Sequence, residues 1–97
     1  MNGSYGLFSI MNGHLSTVTG VQIRSARYAL RWSVKDLAQR SRVSSSTIKR
    51  AELEDGVPST TSANLAALQE ALEAAGIEFI GSPDDAPGIR IHPRSTN

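Results

Sequence analysis

Residues 33–52 read Ser33-Val34-Lys35-Asp36-Leu37-Ala38-Gln39-Arg40-Ser41-Arg42-Val43-Ser44-Ser45-Ser46-Thr47-Ile48-Lys49-Arg50-Ala51-Glu52, and this stretch decides the fold. Ser33 is a good helix N-cap, and Asp36 stands three residues on, where its carboxylate can reach back to the N–H at the cap. The helix that starts here has one narrow apolar stripe, Val34, Leu37, Ala38 and Ser41. It can run only about two turns before the polar break at Ser41-Arg42-Val43-Ser44. Ser44 then caps a further helix over residues 45–53. Rotating 100° per residue from Ile48 puts Ala51 and Ser44 near its buried side. Ser46, Lys49, Arg50 and Leu53 point the opposite way, with Ser45 on the flank. Helices this short do not hold alone, so both need tertiary partners.

Those partners lie on either side. Upstream, Ile23, Ala26, Arg27 and Leu30 recur at helical spacing and predict an amphipathic helix over residues 20–31. Downstream, Glu54-Asp55-Gly56-Val57-Pro58 is a turn, because proline cannot continue the preceding helix. Thr60, Thr61 and Ser62 are alternative caps for a helix whose buried stripe is Leu65, Leu68, Leu72 and Ala75. Gly76 stands where a glycine ends such a helix. Residues 77–80 and 88–92 predict a short hairpin joined through the polar stretch 81–87. The expected architecture is therefore mainly α, with four to five helices over residues 19–76 and a small C-terminal β-hairpin over 77–92. Residues 93–97 are expected to fray. Residues 1–18, with Tyr5, Leu7, Phe8, Ile10, Met11 and Leu15, form an apolar tail with three readings: flexible extra sequence, a segment packing on a partner subunit, or a site for another protein.

A length of 97 residues suits one domain with a modest core. With no cysteine, disulfides, thiolate metal sites and a cysteine nucleophile are excluded. The first residues lack the basic start and unbroken apolar run of a secretion signal, and charges interrupt every later apolar run, so a cytoplasmic protein without a membrane span is expected. The net charge of +1 hides a division along the chain. Residues 24–50 hold eight basic residues against the single acid Asp36, whereas residues 51–80 hold six acids and no base. Such a split gives one surface that attracts a polyanion and another that repels it.

The 33–52 stretch resembles the helix-turn-helix of the phage-repressor (Cro/repressor, XRE-like) family. Ala38 stands where that motif needs a small residue at the helix crossing, and Val43 and Ile48 stand at its apolar positions. The likeness covers residues 20–76. It implies a repressor-like DNA-binding domain acting as a transcriptional regulator, dimeric on an inverted-repeat operator, with the third helix in the major groove. By position, Ser45, Ser46 and Lys49 would face bases. Arg50, Lys35 and Arg42 would contact phosphates, and the helix start capped by Ser44 would offer backbone N–H groups to an anion. The resemblance also implies a structural ion pair between Arg27 and Glu52. The sequence departs from the family at Val34, where glutamine is frequent, and at Arg42, where glycine is usual. Ala51 is smaller than the usual branched residue, and Leu53 is apolar on the exposed side.

Other readings carry less. His14 and His92 lack ligand-spaced neighbours and read as surface residues, so no metal or cofactor is expected. The hydroxyl run 44–47 reads as capping groups and not as nucleophiles, Asp84 and Asp85 read as turn residues, and Trp32 reads as a packing residue. No catalytic signature is present, and an enzyme is not expected. The competing function is a protein-binding module of the same fold, an antiactivator or antitoxin that sequesters a partner protein, for example another regulatory protein.

Overall fold

The computed structural model describes residues 17–93. The expectations for residues 1–16 and for the frayed end, residues 94–97, lie outside the described residues. Among the described residues there are four helices: α1 (Gly20–Ala29), α2 (Val34–Ser41), α3 (Ser45–Leu53) and α4 (Ser62–Ala74). An antiparallel hairpin of β1 (Ile77–Ser82) and β2 (Asp85–Ile91) follows. The chain is thus mainly helical with a small C-terminal hairpin. No helix is long and apolar enough to cross a membrane.

The core forms where the apolar stripes of the helices meet. Ile23 and Ala26 of α1, Leu37 of α2, Ile48 of α3 and Leu68 and Leu72 of α4 are fully buried, joined by Val18, Val43, Leu65 and Ile77. Val18 corrects the expected boundary of the N-terminal tail. Only 3% of it is exposed, so the domain's packing begins before α1. Val34 and Ala38 are half-buried against the same core, as is Trp32, whose ring lies 4.3 Å from the Arg40 guanidinium carbon.

Helix α1 starts at a cap that the sequence pattern did not bring out. Thr19 accepts from the Gln22 N–H at 3.1 Å, and the Gln22 side-chain oxygen accepts from the Thr19 N–H at 2.8 Å. The amide nitrogen of Gln22 then donates to the carbonyls of Ile80 and Gly88, at 3.1 and 2.8 Å. One buried side chain therefore caps α1 and ties it to the hairpin. The helix ends at Ala29, two residues before the expected limit, because Arg31 turns left-handed at φ 60°. Gly20 packs against the end of α3. A methyl group there would collide with the carbonyl oxygens of Ala51 and Glu54, so only glycine allows this approach.

After α4, Gly76 takes φ 106° and its N–H bonds the Glu73 carbonyl, a glycine C-terminal cap that turns the chain into β1. The strands pair Ile77 with Ile91, Glu78 with Arg90, Phe79 with Ile89 and Ile80 with Gly88. The register shifts between Ile80 and Ser82. Both strands exceed the expected 77–80 and 88–92 segments toward the turn, because backbone pairing continues through the polar, proline-containing stretch. Strand β1 packs on α4 and β2 on α1.

The helices are locked by Arg27 and Glu52. Arg27 Nε donates to Glu52 Oε2 and Nη2 to Oε1, both at 2.7 Å, and the side chains are 9% and 8% exposed. Arg27 Nη1 also donates to the Trp32 carbonyl at 2.9 Å, and Arg24 donates to the Glu52 carbonyl. The hydrogen bonds that Arg27 donates to Glu52 hold its pKa above the ordinary value. Removing one partner leaves a buried charge. Arg27→Met is expected to lower the unfolding free energy by about 3–5 kcal/mol, while the double variant Arg27→Met, Glu52→Leu recovers most of that loss. Urea denaturation of both variants measures the difference.

Candidate nucleic-acid interface

Helices α2 and α3 are joined by only three residues, Arg42, Val43 and Ser44. Each start is fixed locally. The Ser33 hydroxyl accepts from the Asp36 N–H at 2.9 Å, and the Asp36 carboxylate accepts from the Ser33 N–H at 2.8 Å. Ser44 accepts from the Thr47 N–H at 3.2 Å and donates to the Thr47 hydroxyl at 2.9 Å. Val43 is buried in the core, and Ser41 ties the turn down by donating to the Leu37 carbonyl and accepting from the Val43 N–H.

The capping of α3 leaves Ser44 exposed, not near the buried side as rotation from Ile48 suggested. Its position at the helix end, ahead of the first turn, takes it out of the core. The rest of the rotation holds. Ile48, Ala51 and Glu52 are buried, whereas Ser46, Lys49, Arg50 and Leu53 are exposed at i, i+3, i+4 and i+7. Ser45 lies half-buried on the flank. On α2 and its end, Lys35 and Arg42 are exposed. All seven expected site residues thus lie on this helix pair and its turn, six of them exposed. Gln39 is exposed midway between Lys35 and Arg42, four residues after the one and three before the other. That spacing is legible in the sequence and was not used there.

The tertiary structure also divides the basic residues that the sequence counts together. Arg24 and Arg27 are bound at Glu52, and Arg40 lies over Trp32. Lys35, Arg42, Lys49 and Arg50 are exposed on the two helices and their turn, as is Arg40 despite its contact with Trp32, and Arg31 is exposed just after α1. Thr47 N–H is taken by the cap, while those of Ser45 and Ser46 lie in the first turn, the part of a helix that attracts anions.

Arg42 ends α2 in the left-handed region, at φ 64° and ψ 23°, and its N–H bonds the Ala38 carbonyl at 2.8 Å. A side chain costs about 1 kcal/mol there relative to glycine. Nothing in its surroundings repays that strain, since no hydrogen bond or ion pair of its side chain occurs among the described residues. His92 is exposed at the hairpin, 2.7 Å from Glu78, and no group of three or more His, Cys, Asp or Glu that could hold a metal occurs among the described residues.

No family model, no curated protein and no solved structure matches this chain.

Two outcomes are expected from this geometry. Arg42→Gly raises the unfolding free energy by about 1 kcal/mol in thermal or urea denaturation. For Asp36, the Ser33 N–H and then the Ser33 hydroxyl hold the carboxyl below its ordinary pKa. Its stabilisation is therefore complete above the ordinary aspartate pKa and lost as pH falls through the lower folded value. Stability measured from pH 6 to about pH 2 should fall less steeply in Asp36→Asn than in the wild type.

Proposed function

We propose that this chain is a sequence-specific DNA-binding transcriptional regulator with a repressor-like helix-turn-helix fold. One observation carries the reading: Ser46, Lys49 and Arg50 share a single exposed stripe of α3, directly after a short turn from α2, while Ile48, Ala51 and Glu52 hold the opposite side in the core. That arrangement supports placing α3 in the major groove. Ser45, Ser46 and Lys49 face base edges, and Arg50, Lys35 and Arg42 face phosphates at the groove walls. Lys49 prefers guanine, whose O6 and N7 both accept, whereas the serine hydroxyls suit several bases. The exposed position of Arg42 gives its strained conformation a use, since a glycine there would offer the phosphate no cation.

A nine-residue helix reads only a few base pairs. Two copies related by a two-fold axis double the contacts at half-sites one turn apart, so the target is an inverted repeat and the acting species a homodimer. The mechanism needs no cofactor and no catalysis. A second reading, a module that sequesters a partner protein, is favoured by one observation: Leu53 is 80% exposed on the same stripe.

The test is selection from a genomic DNA library at two salt concentrations, with sequencing of the bound fraction. The wild type should enrich a palindrome, less strongly at high salt. Lys49→Ala should relax the choice of base at one symmetric position at a cost of about 1–3 kcal/mol. Arg50→Ala should weaken all sites alike and reduce the salt slope by about one. No enrichment by the wild type at low salt would reject the regulator reading in favour of the protein partner.

A further inference from the structure

We propose that Leu53 is a specificity residue that reads the 5-methyl group of a thymine at the edge of the major groove. The inference rests on the DNA-binding reading above and assigns a role to a residue that reading leaves unused. Leu53 is the last residue of α3, 80% exposed, one turn beyond Lys49 and Arg50. Long side chains in helices lean toward the N-terminus, so the isobutyl group lies back over the turn that carries those two cations. Among the described residues, the other exposed large apolar side chains, Tyr28 on α1, Val57 in the loop after α3 and Ile91 on β2, lie off this helix.

The chemistry of the groove selects the ligand group. An isobutyl side chain has no donor or acceptor, so it can read neither a phosphate nor a polar base edge. The one apolar feature that B-DNA presents in the major groove is the thymine methyl. That methyl stands on the outer side of the base, toward its own strand's backbone, where a residue at the end of an inserted helix can meet it. Packing leucine on methyl removes apolar surface of both from water, a gain that cytosine, which lacks the methyl, cannot give. A protein surface is the less favoured occupant. The outward neighbours of Leu53 on α3 are Ser46, Lys49 and Arg50, so it is a single apolar group on a polar and basic stripe. Protein-binding anchors are dominated by tryptophan, tyrosine and arginine, with leucine under-represented.

The experiment uses the full chain and the duplex that library selection yields, with each symmetric pair of thymines replaced in turn by uracil. This change removes the methyl and leaves the pairing intact. Equilibrium titrations compare the wild type with Leu53→Ala, whose folding is checked by thermal denaturation. At one thymine pair the wild type should lose about fourfold in affinity per half-site, the worth of one buried methyl group. Leu53→Ala should bind the thymine duplex more weakly by a similar factor and be indifferent to uracil at that position. The inference is overturned if Leu53→Ala keeps the wild-type sensitivity to uracil, or if no thymine pair is sensitive. It is overturned as well if Leu53→Ala binds every duplex as the wild type does. Failure of the wild type to bind any duplex overturns the DNA reading itself and this inference with it, an outcome distinct from the other three.

Discussion

The bidentate pair of Arg27 and Glu52 governs more of this molecule than any other contact. It joins the last turn of α1 to the C-terminal half of α3 in a place with little access to water, and both oxygens of the carboxylate are used. A salt bridge so placed adds little net stability over well-packed apolar residues, but its geometry is narrow. Fixing Glu52 inward fixes the rotation of α3 about its axis. With Ile48 and Ala51 buried beside Glu52, Ser46, Lys49, Arg50 and Leu53, which lie about 60–160° around the helix from Glu52, face outward. Arg24 on the Glu52 carbonyl and Arg27 on the Trp32 carbonyl extend the same constraint to the end of α3 and to the chain between α1 and α2.

The second helix is held by lesser forces that act at its ends. A reciprocal cap of Ser33 and Asp36 starts it, and a left-handed Arg42 stops it. Two residues later Ser44 starts α3, and the burial of Val43 between them draws the turn into the core. The exposed face of the pair is therefore assembled from short-range decisions, each made within a few residues. The angle between the two helices is a matter of core packing, in which Leu37 and Ile48 are both fully buried.

The hairpin is attached by a different principle. A two-stranded sheet is marginal in water, and this one gains its support by laying Ile77, Phe79 and Ile89 on the helical core. Gln22 adds a polar tie from the first turn of α1 to the carbonyls of Ile80 and Gly88. Its amide is satisfied on both sides, which is the condition for burying such a group at little cost.

The order and kind of the elements were legible in the amino-acid sequence because each is set by local patterns. Apolar spacing marked the four helices, serines marked the starts of α2 and α3, and Gly76 marked the end of α4. Outward residues such as Lys49 and Arg50 followed from helical rotation once Ile48 was taken as buried. Element ends were less legible, since the left-handed Arg31 and the length of β1 and β2 depend on packing and cross-strand pairing, not on propensity. Residue type alone did not separate Arg24, Arg27 and Arg40, which bind or stack within the fold, from Lys35 and Arg42, which do not. The sequence by itself determined which segments are helical, which face of each is apolar and where the charge changes sign. The tertiary structure alone decided the burial of Val18, the double use of Gln22, the need for glycine at position 20 and which cations remain outward, because each of these depends on groups brought together from distant parts of the chain.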